Sequence, residues 1–191
     1  THHWSANYKK GFEIYKLLDK NLNSSKKYKL EFTYIGNIPK NIKFKNATHL
    51  KPLSGADLSE ELNKHDIYIT ASLNEPAGMH HIEACCCGLP VLYINSGALS
   101  EYCDKYGVLY TKEDLFLKIE YLYENYEFYK KKLKNYEFTS INSNNKYLEN
   151  FNMISKIKKS KKINFINFFI FKIIFLFYLY AHRISSKFLK R

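Results

Sequence analysis

The sequence predicts an α/β fold in which a parallel sheet is covered by helices on both faces, followed by an apolar C-terminal helix. Three observations predict it. Short apolar runs rich in β-branched and aromatic residues, at 31–36 (EFTYIG), 66–71 (DIYITA) and 91–94 (VLYI), have the length and composition of strands. Segments with apolar residues at helical spacing alternate with them, the order expected of a parallel sheet buried on both sides. With 191 residues, 46% of them hydrophobic, the chain can bury one core and is too short for two full α/β domains.

In chain order, Phe12, Ile14, Tyr15, Leu17, Leu18 and Leu22 form one helical face after Gly11. The strand at 31–36 then ends in a turn at Gly36. A short strand at 48–50 leads to a helix over 58–64, and 66–71 is a buried strand. The loop 72–78 follows, then a helix over 80–87, a Gly-Leu-Pro turn at 88–90 and the strand 91–94. A helical stretch from 113 to 136 precedes a Ser/Asn-rich linker that begins at Ser140. The predicted organisation is a domain over 1–139, a polar and then basic linker over 140–162, and a hydrophobic, basic C-terminal helix over 163–191. There is no internal repeat.

The formal charge of +12 raises the question of a nucleic-acid partner, and its distribution argues against one. Residues 1–150 carry 20 Lys and Arg against all 18 Asp and Glu, a net +2, whereas 151–191 carry ten Lys and Arg and no acid. The predicted domain is nearly neutral. The basic tail lacks aromatics interleaved in its basic run for stacking on bases, so no nucleic-acid partner is expected. Residues 163–181 (INFINFFIFKIIFLFYLYA) are apolar except for Asn164, Asn167 and Lys172, which lie on one arc of a helical wheel. This segment suits a membrane surface, as a span or as an in-plane helix, or a contact with a further domain.

Cys85, Cys86 and Cys87 are consecutive in a predicted helix, where neighbouring side chains diverge by about 100°, so they cannot converge on a metal or pair ordinarily. They read as small, buried, reduced thiols and favour a cytoplasmic compartment. No secretory signal opens the chain, which begins Thr1-His2-His3-Trp4 without an initiator Met and reads as a fragment.

The segment that carries chemistry runs from Ser72 to Ala84 (SLNEPAGMHHIEA). It places Glu75 on a loop and Glu83 inside the following helix, with Gly78 between them. A helix N-terminus offers unpaired N–H groups and a positive dipole end to an anion such as a diphosphate, and carboxylates accept hydrogen bonds in pairs from sugar hydroxyls. On residue chemistry alone, Glu75 reads equally as an exposed loop acid and Glu83 as a solvated helix acid. His80 and His81 adjoin without spaced partners, so no metal site is predicted.

The order Glu-Pro-x-Gly-x4-Glu-Ala from Glu75, Cys-Gly-Leu-Pro-Val at 87–91 and Ser-Gly-x3-Glu at 96–101 resembles the retaining GT-B glycosyltransferases that carry an E-x7-E motif. Lys10-Gly11 is similar to that family's lysine-glycine element, and Tyr34-Ile35-Gly36 to its strand-and-glycine turn at the donor pocket. The resemblance covers about residues 1–115. It implies a Rossmann-like C-terminal donor domain of a hexosyltransferase that uses a nucleotide-diphospho-sugar, with retention and with neither metal nor cofactor. Glu83 would bind ribose hydroxyls and Glu75 the donor sugar. Gly78, Met79 and His80 would present backbone N–H groups to the diphosphate, and Lys10 would neutralise it as the bond breaks. Gly11 and Gly36 would shape the same pocket, with base contacts near residues 51–53.

One departure is Ser5, at the position where many members have an arginine, so the second phosphate cation is missing or is supplied by His2 or His3. The acceptor, a glycan, lipid or small molecule, would belong to an N-terminal domain not present in this chain. A cytoplasmic, membrane-associated enzyme is the reading. A non-catalytic nucleotide-sugar-binding module, or an inactive fragment, is the alternative.

Overall fold

The computed structural model describes residues 1–23, 29–158 and 172–173. The chain divides into two compact units, Thr1–Ser140 and Ile141–Arg191. The first holds two three-stranded parallel half-sheets. One has the order β1 (His2–His3), β2 (Thr33–Gly36), β3 (Thr48–Leu50), and the other β4 (Tyr68–Ile69), β5 (Val91–Tyr93), β6 (Gly107–Leu109). The register pairs His2 with Ile35, Ile35 with Leu50, Tyr68 with Val91 and Leu92 with Val108. This is the Rossmann-like α/β arrangement the alternation predicts.

Side-chain alternation along the strands sends successive residues to opposite faces. Tyr34, Ile69, Leu92 and Val108 enter one core with α1 (Phe12–Asn21) and α5 (Leu115–Glu124), through Phe12, Tyr15, Leu18, Leu115 and Leu122. Ile35, Tyr68, Val91 and Tyr93 enter the other. There they meet α2 (Gly55–Leu62), α3 (Met79–Cys86), α4 (Leu99–Cys103) and α6 (Tyr126–Leu133), through Leu58, Leu62, Ala84, Cys85, Leu99, Cys103 and Leu133. Both sheet faces are therefore dry.

No backbone ladder bond links β1 to β4 among the described residues. Side-chain hydroxyls bridge them instead. Tyr68 Oη accepts the His2 N–H at 3.1 Å, and Tyr15 Oη accepts the Ala71 N–H at 3.1 Å. Tyr15 is fully buried and its hydroxyl also meets His3 Nε2 at 2.9 Å, while burial pushes its pKa up to about 12.

Several boundaries differ from expectation. The strand expected over 66–71 shortens because Ala71 turns its N–H to Tyr15. The helix expected over 113–136 breaks at Asn125, whose side chain donates to the Tyr121 carbonyl at 2.8 Å and competes with the helical ladder. The strands β1 and β6 and the helix α4 escape sequence reading because each spans five residues or fewer. Where a polar linker is expected from 140, the chain forms the helix α7 (Ser140–Lys158), whose tolerance for Ser and Asn shows that weak propensity does not forbid a helix. The apolar helix expected over 163–191 lies outside the described residues, apart from Lys172 and Ile173. Among the described residues no helix is long and apolar enough to cross a membrane. All four thiols are free, but Cys86 is exposed and Cys87 half-buried, so only Cys85 and Cys103 match the buried reading.

Asp19 ties α1 to the approach to β3. Its carboxylate accepts the N–H groups of Lys45 (2.9 Å), Asn46 (2.8 Å) and Ala47 (2.7 Å). Burial pushes its pKa up, yet these donors outweigh burial and hold it below the ordinary value. Asp19→Ala leaves three backbone donors to water or to nothing, and is expected to cost about 1–3 kcal/mol in urea unfolding, with an unchanged m-value.

Candidate functional site

The site sits at the carboxyl ends of β1 and β4, where a parallel sheet leaves its loops free to carry ligand groups. Its centre is the loop 72–78, and that loop is fastened on two sides. Toward the first half-sheet, the Leu73 N–H donates to the Lys9 carbonyl at 2.7 Å. Toward the second, the Asn74 N–H donates to Ser96 Oγ at 2.7 Å and the Ala98 N–H to the Glu75 carbonyl at 2.8 Å. Gly97 makes the second contact possible. Its φ is +60°, and a Cβ there would lie 2.2 Å from the Glu75 carbonyl oxygen.

Lys10 ends a 3-10 turn, Tyr8–Lys10, that Asn7 caps by accepting the Lys9 N–H at 3.0 Å. Gly11 follows with φ +77°, so close to the second half-sheet that a Cβ would meet the Ala71 carbonyl oxygen at 2.0 Å. This approach sets Lys10 beside the loop. Its Nζ lies 2.9 Å from Glu75 Oε2, and both side chains are largely shielded, at 21% and 15% exposure. The sequence assigns these two residues to different parts of a ligand; the structure joins them as one ion pair.

Gly78 caps α3 without a side chain, and no residue offers a side-chain cap in its place. The N–H groups of the first turn thus have no side-chain cap and remain available to a ligand. Glu75 folds over Gly78, so that a Cβ at Gly78 would meet Glu75 Cγ at 2.7 Å. Met79 is exposed, whereas the His80 ring is buried and its Nε2 contacts Thr70 Oγ1 at 2.9 Å. His80 can therefore offer its backbone to the site and not its imidazole. Gly36 ends β2 against the His3 carbonyl. Pro52 and Leu53, in the stretch expected to meet a base, line a shallow depression of about 10 Å³ with His2, His3, Trp4 and Ile35.

Glu83, one helical turn into α3, is half-exposed and accepts from His2 Nε2 at 2.9 Å. Burial pushes the His2 pKa down, so the contact is a neutral imidazole donating to a carboxylate, and that hydrogen bond holds Glu83 below its ordinary value. His3 and His80 are likewise driven well below the ordinary range by burial and then by neighbouring positive charge. His2 and His3, the alternatives to a missing cation beside Ser5, are both buried in β1, where burial drives each toward the neutral form.

Among the described residues no group of three or more His, Cys, Asp or Glu is arranged to hold a metal ion. A cavity of about 470 Å³ lies elsewhere, at the amino ends of the strands beside Leu22, Phe32, Ile67 and Tyr123.

Residues 7–137 match the family of glycosyl transferases group 1, a span of more than half the chain. The chain belongs to that family. No curated protein matches its sequence. Among solved structures, the chain is similar to sucrose-phosphate synthase from Thermosynechococcus elongatus, with a TM-score of 0.61 and 14% identity over 84% of this chain and 45% of that one. It is similar to WaaG, a glycosyltransferase involved in lipopolysaccharide biosynthesis, with a TM-score of 0.61 and 18% identity over 74% and 43%. It also resembles the pneumococcal O-GlcNAc transferase GtfA solved with UDP and GlcNAc, with a TM-score of 0.54 and 16% identity over 71% and 31%. These likenesses share the α/β fold of GT-B glycosyltransferases, and the chain spans less than half the length of each protein.

Sequence reading missed the partners that hold the motif: Tyr68, Tyr15, Ser96 and the strand histidines. The Ser-Gly pair at 96–97 left a signal as a motif element without a role, and His2 and His3 only as candidate cations.

The buried histidines have an acid consequence. Unfolded, each titrates near the ordinary value of about 6.5. Folded, His3 and His80 titrate well below it, and burial brings His81 down to about 4. The unfolded chain therefore binds more protons once pH falls below about 6.5, and stability present above that pH is lost on the way down to about 4. Melting temperature is expected to fall steadily from pH 6.5 to 4.5. His81 is fully buried with neither ring nitrogen bonded among the described residues. His81→Leu should flatten the acid slope without lowering stability at pH 8.

Proposed function

We propose that this chain is the donor-binding half of a retaining, metal-independent hexosyltransferase that takes its sugar from a nucleotide-diphospho-sugar. The observation that carries the reading is the Lys10–Glu75 ion pair at 2.9 Å, set beside the uncapped N-terminus of α3 with Glu83 further along the same helix. A nucleotide-diphospho-sugar has neutral hydroxyls at both ends and a dianion between them. Two carboxylates flanking a positive helix end complement that pattern.

In this reading, Glu83 accepts from ribose hydroxyls, the N–H groups of Gly78, Met79 and His80 face the diphosphate, and Glu75 accepts from the sugar. The bond that breaks joins sugar to phosphate, so a lysine in contact with the Glu75 carboxylate that accepts from the sugar stands beside the oxygen on which charge grows. Fixed positive charge at that point stabilises the departing diphosphate and makes a divalent cation unnecessary. The acceptor attacks the same face that the phosphate leaves, and the phosphate takes the acceptor's proton, so no protein nucleophile is required. Glu75 and Glu83 are not a hydrolase pair, since that chemistry needs carboxyl groups flanking one bond. GtfA, solved with UDP and GlcNAc, provides a precedent for a nucleoside diphosphate and a sugar on a related fold. The acceptor would be held by a second domain outside this chain.

Calorimetry with UDP, GDP and ADP and their sugar conjugates separates the roles. Glu83→Gln is expected to weaken the free nucleotide about tenfold, the worth of one charge-assisted hydrogen bond. Glu75→Gln should spare free nucleotide and weaken only the sugar conjugate. Equal losses on both ligands would overturn this division. Lys10→Met is expected to weaken the diphosphate while leaving the nucleoside's affinity unchanged, and EDTA should change none of these affinities.

A further inference from the structure

The proposed role of Glu83 leaves unexplained why a half-exposed carboxylate on a helix should hold one rotamer. A free glutamate loses considerable side-chain entropy when a ligand fixes it. The contacts behind Glu83 remove that freedom. Tyr68 Oη accepts the backbone N–H of His2 at 3.1 Å, and its own proton has two nearby acceptors, His2 Nδ1 at 3.2 Å and the His2 carbonyl at 3.4 Å. On the far side of the ring, His2 Nε2 lies 2.9 Å from Glu83 Oε2.

A neutral imidazole has one donor and one acceptor nitrogen, and an ionised carboxylate only accepts. The contact with Glu83 therefore requires the proton on Nε2. Nδ1 must then accept, and the nearer position of the Tyr68 hydroxyl proton satisfies it. The Glu83 end thus sets the tautomer, and the Tyr68 hydroxyl is placed to complement it. Tyr68 is fully protected from ionising, because burial pushes its pKa well above the ordinary value. His2 is 5% exposed and also packs edge-on to Tyr68 and His80, with centroids 5.5 and 6.3 Å away, so the ring cannot turn freely.

We infer that Tyr68 and His2 form a fixed hydrogen-bond relay whose output is the orientation of the Glu83 carboxylate toward the ribose, with His2 as a positioning residue for nucleotide binding. The inference rests on the proposed role of Glu83. His2 occupies one acceptor site of a carboxylate that has about four, which leaves both oxygens able to receive hydroxyl donors. The relay also crosses from β4 to β1 and on to α3, so the ribose contact depends on the seam between the half-sheets being intact. Neither His2 nor Tyr68 touches the ligand in this scheme.

The test is a set of binding cycles on the 191-residue chain, using UDP, GDP and ADP and their 2′,3′-dideoxy counterparts as probes. His2→Phe is expected to weaken the tightest ribonucleotide about three- to tenfold, the cost of ordering Glu83 without its partner, and to leave the dideoxy analogue unaffected. Tyr68→Phe, which deletes the hydroxyl that holds the His2 backbone and the back of its ring, should act in the same direction. His2→Gln, whose amide donor reaches the Nε2 position, should recover most of the affinity. If His2→Phe does not fold, as judged by its melting curve, the Tyr68→Phe and His2→Gln pair decides the matter by the same criterion. Equal losses for ribo and dideoxy ligands would mean a merely structural role and overturn the relay. Wild-type affinity in both His2→Phe and Tyr68→Phe, with Glu83→Gln impaired, would overturn the relay while leaving the ribose role standing. A Glu83→Gln chain that binds normally would remove the ribose role itself, and the relay with it.

Discussion

The seam between β1 and β4 is held by two tyrosine hydroxyls in place of ladder hydrogen bonds, and the geometry of the site follows from that substitution. A hydroxyl both accepts and donates, so Tyr15 can take the Ala71 N–H while meeting His3, and Tyr68 can take the His2 N–H while meeting the His2 ring. Each tyrosine thus satisfies a buried backbone donor and orders an imidazole at the same time. Leaving those donors unpaired would cost on the order of 1–3 kcal/mol apiece, a large fraction of the stability of a domain this size. The seam is polar, yet its hydroxyls and three of its imidazoles, those of His2, His3 and His80, are hydrogen-bonded; His81 is the exception among the described residues.

That polar seam explains the state of its histidines. Four imidazoles, His2, His3, His80 and His81, lie within ring contact of one another or of the tyrosines. Packed together away from water, they cannot all be charged, and burial drives each toward the neutral form. Positive charge at the site is left to Lys10 and to the helix end, which stay outside the buried layer. The division is chemically useful, because neutral imidazoles can direct carboxylates by hydrogen bonding without cancelling their charge.

The sheet and the motif were legible in the sequence for different reasons. Strand runs such as TYIG and VLY advertise themselves as short continuous apolar runs, because both sheet faces are buried, and the helical face of Phe12, Tyr15 and Leu18 by its spacing. Glu75, Gly78 and Glu83 were legible as a spaced motif. Their partners were not. His2 and His3 have no apolar pattern and form a strand of only two residues, so they read as loop residues. Tyr68 reads as one more core aromatic, since nothing in a sequence distinguishes a hydroxyl that fills space from one that bridges two strands. Asn125 shows the opposite error: helical periodicity continues through it, and only its side-chain bond to Tyr121 breaks the helix.

Both acids of the motif are paired across the seam. Glu75 and Glu83 stand on the second half-sheet's loop and helix, while Lys10 and His2 come from the first. The pairs differ in kind, an ion pair at the proposed sugar end and a neutral donor at the proposed ribose end. An ion pair can exchange its partner for a phosphate oxygen, because lysine is a flexible point charge with three donors. The imidazole at the other end has its tautomer set by the carboxylate and its ring held from behind, and has no such freedom. The site therefore combines one adaptable contact where a bond would break with one rigid contact where a ligand need only be held. The fixed end sits in the buried seam, and the adaptable end sits on the loop that Leu73 and Ala98 fasten to its two neighbours.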